Sequence, residues 1–364
     1  MGGQLDFQAD QIEFTLAQHR LRGRVTGGTV TPRTLRFSLV PDPSAKLRRF
    51  LELAEELALA LGAPSCRIFR DKDCLQVEVP REQRSIVSLL PLSERLPQVP
   101  PCTAVLGLEH DGRPLLLHLP SPDVSHVLVA GGTGSGKTEL TRAMLASLVR
   151  FNRQAQLQLL LIDPKCRGFA PFRDAPHLMR PIVTDAEEAV EALRALVDEM
   201  IRRDRETREL PRIVLCIDEL ADLALVAPTE ITALLTRLAQ RGRQAGIHVI
   251  ACTQKPTADV VGTLVKANFP VRLVGAVGSP EDAKVATGLA GSGAEKLLGR
   301  GDFLIVNRGQ VIRFQAAFVP EAQIAGLWGN RTRGQLTPVR LISTGTDGQR
   351  AAPNRPVAYL RRVK

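Results

Sequence analysis

The chain has 364 residues, of which 44% are hydrophobic, and a formal net charge of +10 at pH 7. This length suffices for one large domain and a smaller one, each with its own core. No stretch approaches the ~18 consecutive apolar residues of a membrane helix, and the N-terminus lacks the basic and apolar regions of a signal peptide. We therefore expect a cytoplasmic protein with no membrane segment.

The cysteines do not indicate a metal site, because metal binding needs ligands clustered at short spacing. No Cys-x-x-Cys pair occurs among the six, which are Cys66, Cys74, Cys102, Cys166, Cys216 and Cys252. We expect all six to be reduced thiols.

The positive charge is concentrated at the C-terminus. Residues 331–364 contain eight basic residues and a single acidic one, Asp347. Such a tail suits a polyanionic partner such as nucleic acid, although a merely solvated, disordered tail has the same composition.

In chain order, residues 1–100 have the pattern of a small α+β domain. We predict four strands and one amphipathic helix, with a turn at Gly27-Gly28 between the first two strands and a helix end at Gly62. The strands are placed at 11–16, 34–39, 66–69 and 75–79, with a turn at 71–73, and the helix at 47–61. Prolines at 97, 100 and 101 mark the boundary of this domain.

Residues 101–320 change to apolar strands that alternate with longer helical patterns, which is typical of an α/β domain with a mainly parallel sheet. Strands are predicted at 124–130, 157–162, 213–217, 248–252 and 271–274. Helices are predicted at 140–148, 186–203 and 230–245. A hairpin of strands 303–306 and 311–314 closes the domain, and residues 321–364 are predicted to form a short helix and the basic tail.

A complete phosphate-binding motif follows the first of these strands. Its residues are Gly131, Gly132, Thr133, Gly134, Ser135, Gly136, Lys137 and Thr138, in the order G-x-x-x-x-G-K-[ST]. Glycines allow the backbone N–H groups to surround a phosphate, and the following helix contributes the positive end of its dipole. Lys137 is expected to reach the β- and γ-phosphates, and the Thr138 hydroxyl to bind Mg²⁺. The motif predicts a P-loop NTPase that binds a nucleoside triphosphate.

Acidic and polar residues follow two further strands. The run Arg212 to Ile217 ends in Asp218 and Glu219, at the strand edge where open α/β sheets bind ligands. We expect Asp218 to act on Mg²⁺ through its water shell and Glu219 to be the general base for the attacking water. The strand at 248–252 leads to Gln254, which we expect to lie between these motifs and sense the γ-phosphate.

The ordered series of motifs resembles the FtsK/SpoIIIE family of double-stranded DNA translocases, which are hexameric ring motors. The resemblance covers about residues 30 to 320. It rests on HVLVAGGTGSGKT at 126–138, LIDPK at 161–165, APHL at 175–178, VTD at 183–185, EMIRR at 199–203, IDELADL at 217–223, RLAQRGRQAGIH at 237–248, TQKPTADVVGTLVKAN at 253–268 and GAEKLLGRGDFL at 293–304. Part of the N-terminal domain, residues 34–69, also resembles the domain that precedes the family's motor.

The resemblance implies a RecA-like P-loop NTPase fold with a parallel sheet and a small N-terminal α+β domain. It implies ATP and Mg²⁺ as cofactors, double-stranded DNA as partner, and a homohexamer. It also implies an arginine that acts on the nucleotide of a neighbouring subunit. Arg243 is our first choice by position, with Arg241 and Arg272 as alternatives. The positions that match the family's DNA-gripping residues are Lys255, Lys266 and Lys284, which suit phosphate rather than base contacts.

Departures from the family pattern leave other functions open. The sequence shows neither a membrane-spanning N-terminal region nor a winged-helix domain after the motor, and LIDPK continues as Cys166-Arg167-Gly168 where the family usually has an apolar residue and Glu-Leu. The alternatives are a conjugation or packaging motor for mobile DNA, a protein-export ATPase of the same superfamily, and a non-hydrolysing scaffold.

Overall fold

The computed structural model describes residues 2–31, 34–71, 74–81, 86–96, 98–109, 112–254 and 268–329. The chain divides into two compact units. The first contains residues 1–86 and 110–112, and the second contains residues 87–109 and 113–364.

The first unit is a four-stranded antiparallel sheet with helices, in the strand order β1-β2-β4-β3. Its core is formed where the helices cover the sheet, with Phe37, Phe50, Leu57 and Val77 all buried. The elements are α1 (Gly2–Gln18), β1 (Gly23–Val30), β2 (Thr34–Pro41), α2 (Leu47–Leu51), α3 (Ala54–Ala60), β3 (Arg67–Asp71) and β4 (Cys74–Pro80).

Three predictions for this unit are corrected. Residues 11–16 are helical and belong to α1. Gly27 and Gly28 lie inside β1, which pairs with β2 through a bulge between Val25 and Gly27. The helix predicted over 47–61 is two short helices, α2 and α3. Gly62 follows α3 at φ +62°, as expected of a residue that ends a helix. Two residues of the predicted turn at 71–73 lie outside the described residues.

The second unit is built on one large mixed sheet, in the order β7-β6-β14-β13-β12-β8-β11-β10-β9, with β5 added beside β14. Its strands are β5 (Val87–Ser88), β6 (Thr103–Glu109), β7 (Pro114–His118), β8 (Val127–Ala130), β9 (Leu157–Ile162), β10 (Arg212–Ile217), β11 (Ile247–Thr253), β12 (Val271–Val274), β13 (Asp302–Asn307) and β14 (Gln310–Phe318). Its helices are α4 (Leu89–Glu94), α5 (Lys137–Phe151), α6 (Ala186–Glu206), α7 (Leu220–Val226), α8 (Pro228–Arg241), α9 (Pro280–Thr287), α10 (Glu321–Ile324) and α11 (Gly326–Gly329).

The centre of this sheet is parallel, as predicted. Strands β12, β8, β11, β10 and β9 run in one direction, whereas β13, β14, β6 and β7 form an antiparallel extension. Side chains alternate between two cores, so that Val127 and Val129 pack on the face of α5, and Leu128 and Ala130 on the face of α6 and α8. Burial on both faces explains why these strands are continuous apolar runs.

The strands of the parallel centre end together at one sheet edge, and the predicted phosphate loop and acidic residues follow β8 and β10 at that edge. The predicted hairpin is confirmed as β13 and β14, and the short helix after Pro320 as α10. In the described part of the chain, no helix has the length and apolar character needed to cross a membrane.

Candidate active site

The phosphate loop connects β8 to α5 and is fixed by hydrogen bonds on one flank to the neighbouring strands. The Gly131 N–H donates to Thr253 O at 3.2 Å, after which β11 ends, and the Gly132 N–H donates to Ala276 O at 2.9 Å, just beyond β12. Gly134 and Gly136 adopt φ of +79° and +95°, which side-chain-bearing residues rarely adopt. The loop therefore has the wrapped backbone that directs N–H groups at a phosphate.

A second turn, Gly299–Gly301, fixes the other flank. The Arg300 N–H donates to Gly134 O at 2.9 Å, and the Gly301 N–H donates to Ser135 O at 2.7 Å. A Cβ built on Gly136 would lie 2.6 Å from the Gly301 nitrogen, so only glycine fits at this position. We refer to residues 299–301 as the bracing turn.

Asp302 organises the bracing turn. Its carboxylate accepts the Leu298 N–H at 2.8 Å and both the Nε and a terminal nitrogen of Arg313, at 2.9 and 2.8 Å. Two parallel hydrogen bonds from one guanidinium hold a carboxylate strongly and in a fixed orientation. The turn before β13 is thereby tied to β14.

Lys137, Glu219 and Gln254 are brought together at the sheet edge. The Lys137 Nζ lies 3.2 Å from both Glu219 Oε2 and the Asp218 backbone oxygen. The Gln254 N–H donates to both carboxylate oxygens of Glu219, at 3.1 and 3.2 Å. Glu219 is 2% exposed, and its carboxylate also accepts the Ala221 N–H at the start of α7. A carboxylate held in this way has a defined position relative to the phosphate loop.

Asp218 precedes Glu219 at the end of β10 and is 7% exposed. Burial raises the pKa of its carboxyl, Lys137 opposes this rise, and the carboxylates of Asp163 and Glu219 add to it. Among the described residues, Asp218 Oδ1 has no hydrogen-bond partner. Buried carboxylate oxygens without a partner fit Mg²⁺, which proteins commonly hold through one or two carboxylates and several waters. Thr138, the other predicted ligand, lies half-buried at the start of α5.

The three candidate arginines have different environments. Arg243 is exposed, just after α8, and in the described part of the chain no acidic side chain lies at ion-pair distance from it. Arg241 pairs with Asp204 at 2.7 Å. Arg272 is 9% exposed, burial lowers its pKa, and its guanidinium is directed at the Ala286 carbonyl of α9. Of the three, Arg243 and Arg241 are exposed, but in the described chain only Arg241 has an ion pair with an acidic residue, and Arg272 is buried.

Of the three lysines predicted to contact DNA, one lies within the described residues. Lys284 is exposed on α9, whereas Lys255 and Lys266 lie outside the described residues.

A further lysine lies near the acidic residues of the site. The Lys165 ammonium pairs with the Asp222 carboxylate at 2.9 Å, and this hydrogen bond raises the pKa of Lys165.

Several residues around the site have roles that our sequence analysis did not predict. They are the bracing turn, Asp302, Asp163 at the end of β9, and Arg142 of α5, whose guanidinium donates to the carbonyls of Arg167 and Gly168. The available signals were the GRGD string at 299–302 and the position of Asp163 directly after an apolar strand, as for Asp218. The bracing turn lies 166 positions from the loop residues it contacts, Asp163 lies 55 positions from Asp218, and Arg142 lies 26 positions from Gly168. Motif spacing alone does not reveal such pairings.

The chain is similar to known proteins over most of its length. Residues 94–208 and 201–258 match the model of the FtsK/SpoIIIE family, and residues 3–81 match that of the FtsK alpha domain. DNA translocase SftA of Bacillus subtilis is 34% identical, over 93% of this chain and 38% of that protein. DNA translocase FtsK of Caldanaerobacter subterraneus is 36% identical, over 87% of this chain and 48% of that protein. The chain thus spans less than half the length of these relatives.

Solved structures show the same fold at lower identity. The pCW3 conjugation coupling protein TcpA, in its monomer form with ATPγS, has a TM-score of 0.60 and 19% identity, over 88% of this chain and 99% of that one. The cytoplasmic domain of the type VII secretion ATPase EccC of Thermomonospora curvata has a TM-score of 0.53 and 21% identity, over 63% and 31%. These likenesses identify the P-loop ATPase fold. The two family models and the relatives above 30% identity show that this chain belongs to the FtsK/SpoIIIE family.

Proposed function

We propose that this chain is an ATP-driven motor that moves along double-stranded DNA and works as a ring of identical subunits, six by analogy with the family. The observation that carries the proposal is the hydrogen-bonded group of Lys137, Glu219 and Gln254 beside a wrapped phosphate loop. Its relatives are named DNA translocases, which supports DNA as the partner.

The chemistry follows from these positions. The N–H groups of residues 131–138 and the start of α5 bind the nucleotide phosphates, and a bound phosphate competes with Glu219 for the Lys137 ammonium. Thr138 and Asp218 are the residues that would hold Mg²⁺, which supplies charge neutralisation on the phosphate oxygens. Glu219 then accepts the proton of the attacking water. The backbone N–H of Gln254 donates to the Glu219 carboxylate. Because Gln254 directly follows β11, this hydrogen bond connects Glu219 to that strand.

The finer assignments complete a motor. Arg243 reaches the nucleotide of the adjoining subunit, because it is exposed at the surface while Arg241 is paired and Arg272 is buried. Lys255, Lys266 and Lys284 contact DNA phosphates, which suits movement along any sequence. A subunit alone lacks the arginine of its neighbour, so hydrolysis is expected to rise with assembly.

Steady-state ATP hydrolysis with and without long linear duplex DNA, at two salt concentrations, tests this function. We expect strong stimulation by duplex that weakens as salt rises, because phosphate contacts release counterions. The Lys137→Ala variant is the control and should lose hydrolysis under all conditions.

Hydrolysis that is indifferent to DNA in the wild type would contradict the DNA motor and favour a protein-export ATPase. Stimulation by duplex does not separate a chromosome motor from a conjugation or packaging motor, since both grip the same phosphates. A single-molecule assay on a long duplex then measures movement directly, and ATP turnover without movement counts against translocation.

A further inference from the structure

Asp163 lies beside Asp218 although they are 55 positions apart in the chain. β9 and β10 are parallel, with Ile162 paired to Ile217, so the residue after each strand emerges at the same edge. The Asp218 N–H donates to Ile162 O at 3.0 Å, which fixes this register. The Asp163 carboxylate is close enough to add to the pKa rise of Asp218.

One carboxylate oxygen of Asp163 accepts a hydrogen bond that closes a turn, and the other has no partner among the described residues. Oδ2 accepts the Phe169 N–H at 3.0 Å. Oδ1 has no hydrogen-bond partner among the described residues, and the side chain is 0% exposed. A buried carboxylate oxygen without a partner is costly, since its hydration is lost and nothing replaces it.

The turn that Asp163 closes carries Gly168 against the other carboxylate. A Cβ built on Gly168 would lie 2.8 Å from both Cγ and Oδ1 of Asp218. The Gly168 carbonyl accepts the Arg142 Nε at 2.7 Å, which holds the turn from the side of α5. Glycine at this position leaves the Asp218 carboxylate its place beside Asp163.

The charges at this edge do not balance. Asp163, Asp218 and Glu219 bring three carboxylates together. Within the described residues, Lys137 is the one buried ammonium among them, and the nearby Lys165 pairs with Asp222. Two of the carboxylates, Asp163 and Asp218, each have an unpartnered buried oxygen. A hydrated divalent cation supplies both the missing charge and the missing hydrogen-bond donors, because its waters donate to carboxylate oxygens.

We propose that Asp163 is the second carboxylate of the magnesium site, and that it accepts a hydrogen bond from the metal's water shell together with Asp218. The inference rests on the proposed binding of ATP and Mg²⁺. It makes Asp163 a positioning residue for the hydrated metal, since it acts through the metal's waters.

Binding of a fluorescent ADP analogue, with Mg²⁺ and with EDTA, tests this role in Asp163→Asn. The asparagine oxygen still accepts the Phe169 N–H, so the turn is kept while the charge is removed. We expect the tightening by Mg²⁺ to fall about 10-fold or more, as for other groups that bind a metal's waters. The affinity in EDTA should stay within about twofold, and Mn²⁺ binding in the presence of ADP, followed by electron paramagnetic resonance, should weaken in parallel.

Asp174→Asn is the matched control, because it removes an exposed carboxylate a few residues beyond the same turn. It should keep the wild-type response to Mg²⁺. Gly168→Ala is a second variant, in which the new Cβ displaces Asp218 and should cause the same magnesium-selective loss.

Three results would overturn the proposal. Asp163→Asn could bind ADP with the wild-type response to Mg²⁺. The variant could bind ADP more weakly by the same factor in Mg²⁺ and in EDTA, which would make the role of Asp163 structural. If Asp163→Asn does not fold, the Gly168→Ala variant decides. A wild-type tightening of its ADP binding by Mg²⁺ would then contradict the proposal. A wild type that shows no Mg²⁺ effect would instead contradict the metal site of the proposed function itself.

Discussion

Glu219 shows how a single buried carboxylate is held by several hydrogen bonds at once. Its oxygens accept hydrogen bonds from the Lys137 ammonium, the Gln254 N–H and the Ala221 N–H, and its side chain is almost fully buried. These partners come from the phosphate loop, the end of β11 and the start of α7. The position of the proposed general base is therefore set jointly by three segments that meet at the sheet edge.

Glu219→Gln should abolish turnover and spare nucleotide binding. The amide keeps the shape and can still accept the Gln254 N–H, but it is too weak a base to take a proton from water. We expect kcat for DNA-stimulated ATP hydrolysis to fall about 10²- to 10⁴-fold, with nucleotide affinity within a few-fold of wild type. Steady-state kinetics and fluorescent ADP binding check this, and undiminished hydrolysis would remove Glu219 from its role.

Arg243→Ala should impair catalysis between subunits. An arginine that stabilises charge on a neighbour's phosphate contributes on the order of 10³-fold to kcat, so turnover should collapse while each subunit still binds nucleotide. Arg241→Ala is the control, since it removes an exposed arginine already paired with Asp204. Full DNA-stimulated turnover in Arg243→Ala would return Arg241 and Arg272 to consideration.

Among the elements, the phosphate loop has little steric freedom at one of its two positive-φ glycines. Gly134 and Gly136 both have positive φ, yet a Cβ on Gly134 would meet nothing within 4 Å, whereas one on Gly136 would collide with the backbone of the bracing turn. The two glycines thus separate the cost of the backbone conformation from the cost of the contact.

Gly136→Ala should therefore be much more damaging than Gly134→Ala. We expect Gly134→Ala to cost about 1–2 kcal/mol in the free energy of unfolding, from its left-handed conformation alone. Gly136→Ala adds a clash that displaces either the loop or the turn, and should lower the melting temperature further. Denaturant unfolding of both variants measures the difference, and equal losses would show that the bracing turn yields freely.

The elements also show what the sequence could predict. The parallel strands, the phosphate loop and the β13–β14 hairpin were predicted because each carries a local signal: a buried apolar run, a glycine motif or a turn. Residues 11–16 misled the strand prediction because polar and apolar residues alternate there. In the structure, Ile12 and Leu16 are buried one turn apart while Phe14 is exposed, which is a helical face.

The prediction of a turn in the N-terminal unit was wrong for a related reason. Gly27 and Gly28 were predicted as a turn, but β1 is the edge strand of its sheet and is mostly exposed, so glycine and a bulge are tolerated there. In the site, Asp218 and Glu219 could be found from spacing. Asp163 and the bracing turn could not, because their roles depend on which strands become neighbours.

Across the whole molecule, two buried histidines join the strands at the edge far from the phosphate loop. His126 Nδ1 accepts the Val249 N–H at 3.1 Å, and His248 Nδ1 donates to Ser125 O at 3.1 Å. Burial lowers the pKa of His126 to about 4 and that of His248 to about 3. Both imidazoles are therefore neutral in the folded protein.

Stability should fall as pH decreases from about 6.5. The unfolded chain binds protons at both histidines below its ordinary pKa of about 6.5, whereas the folded chain resists protonation until about pH 4 for His126 and about pH 3 for His248. Each imidazole contributes a slope of up to about 1.4 kcal/mol per pH unit in its window, and this stability is fully present above pH 6.5. Urea unfolding between pH 4.5 and 8 is the measurement.

His19→Gln, at an exposed position, serves as the control and should keep the wild-type slope. A free energy of unfolding that is flat from pH 6.5 to about 5 would contradict the assignment of these two imidazoles as neutral.

The bracing turn has a consequence for the timing of a working cycle. The phosphate loop is already hydrogen-bonded on both flanks, so it loses little conformational entropy when phosphates bind. Nucleotide binding therefore does not require a prior folding step of the loop. Nucleotide association should then be a single step, with a rate that rises in proportion to nucleotide concentration. For the proposed motor, the slow steps are then expected after nucleotide binding, at product release or at the transfer of activity between subunits.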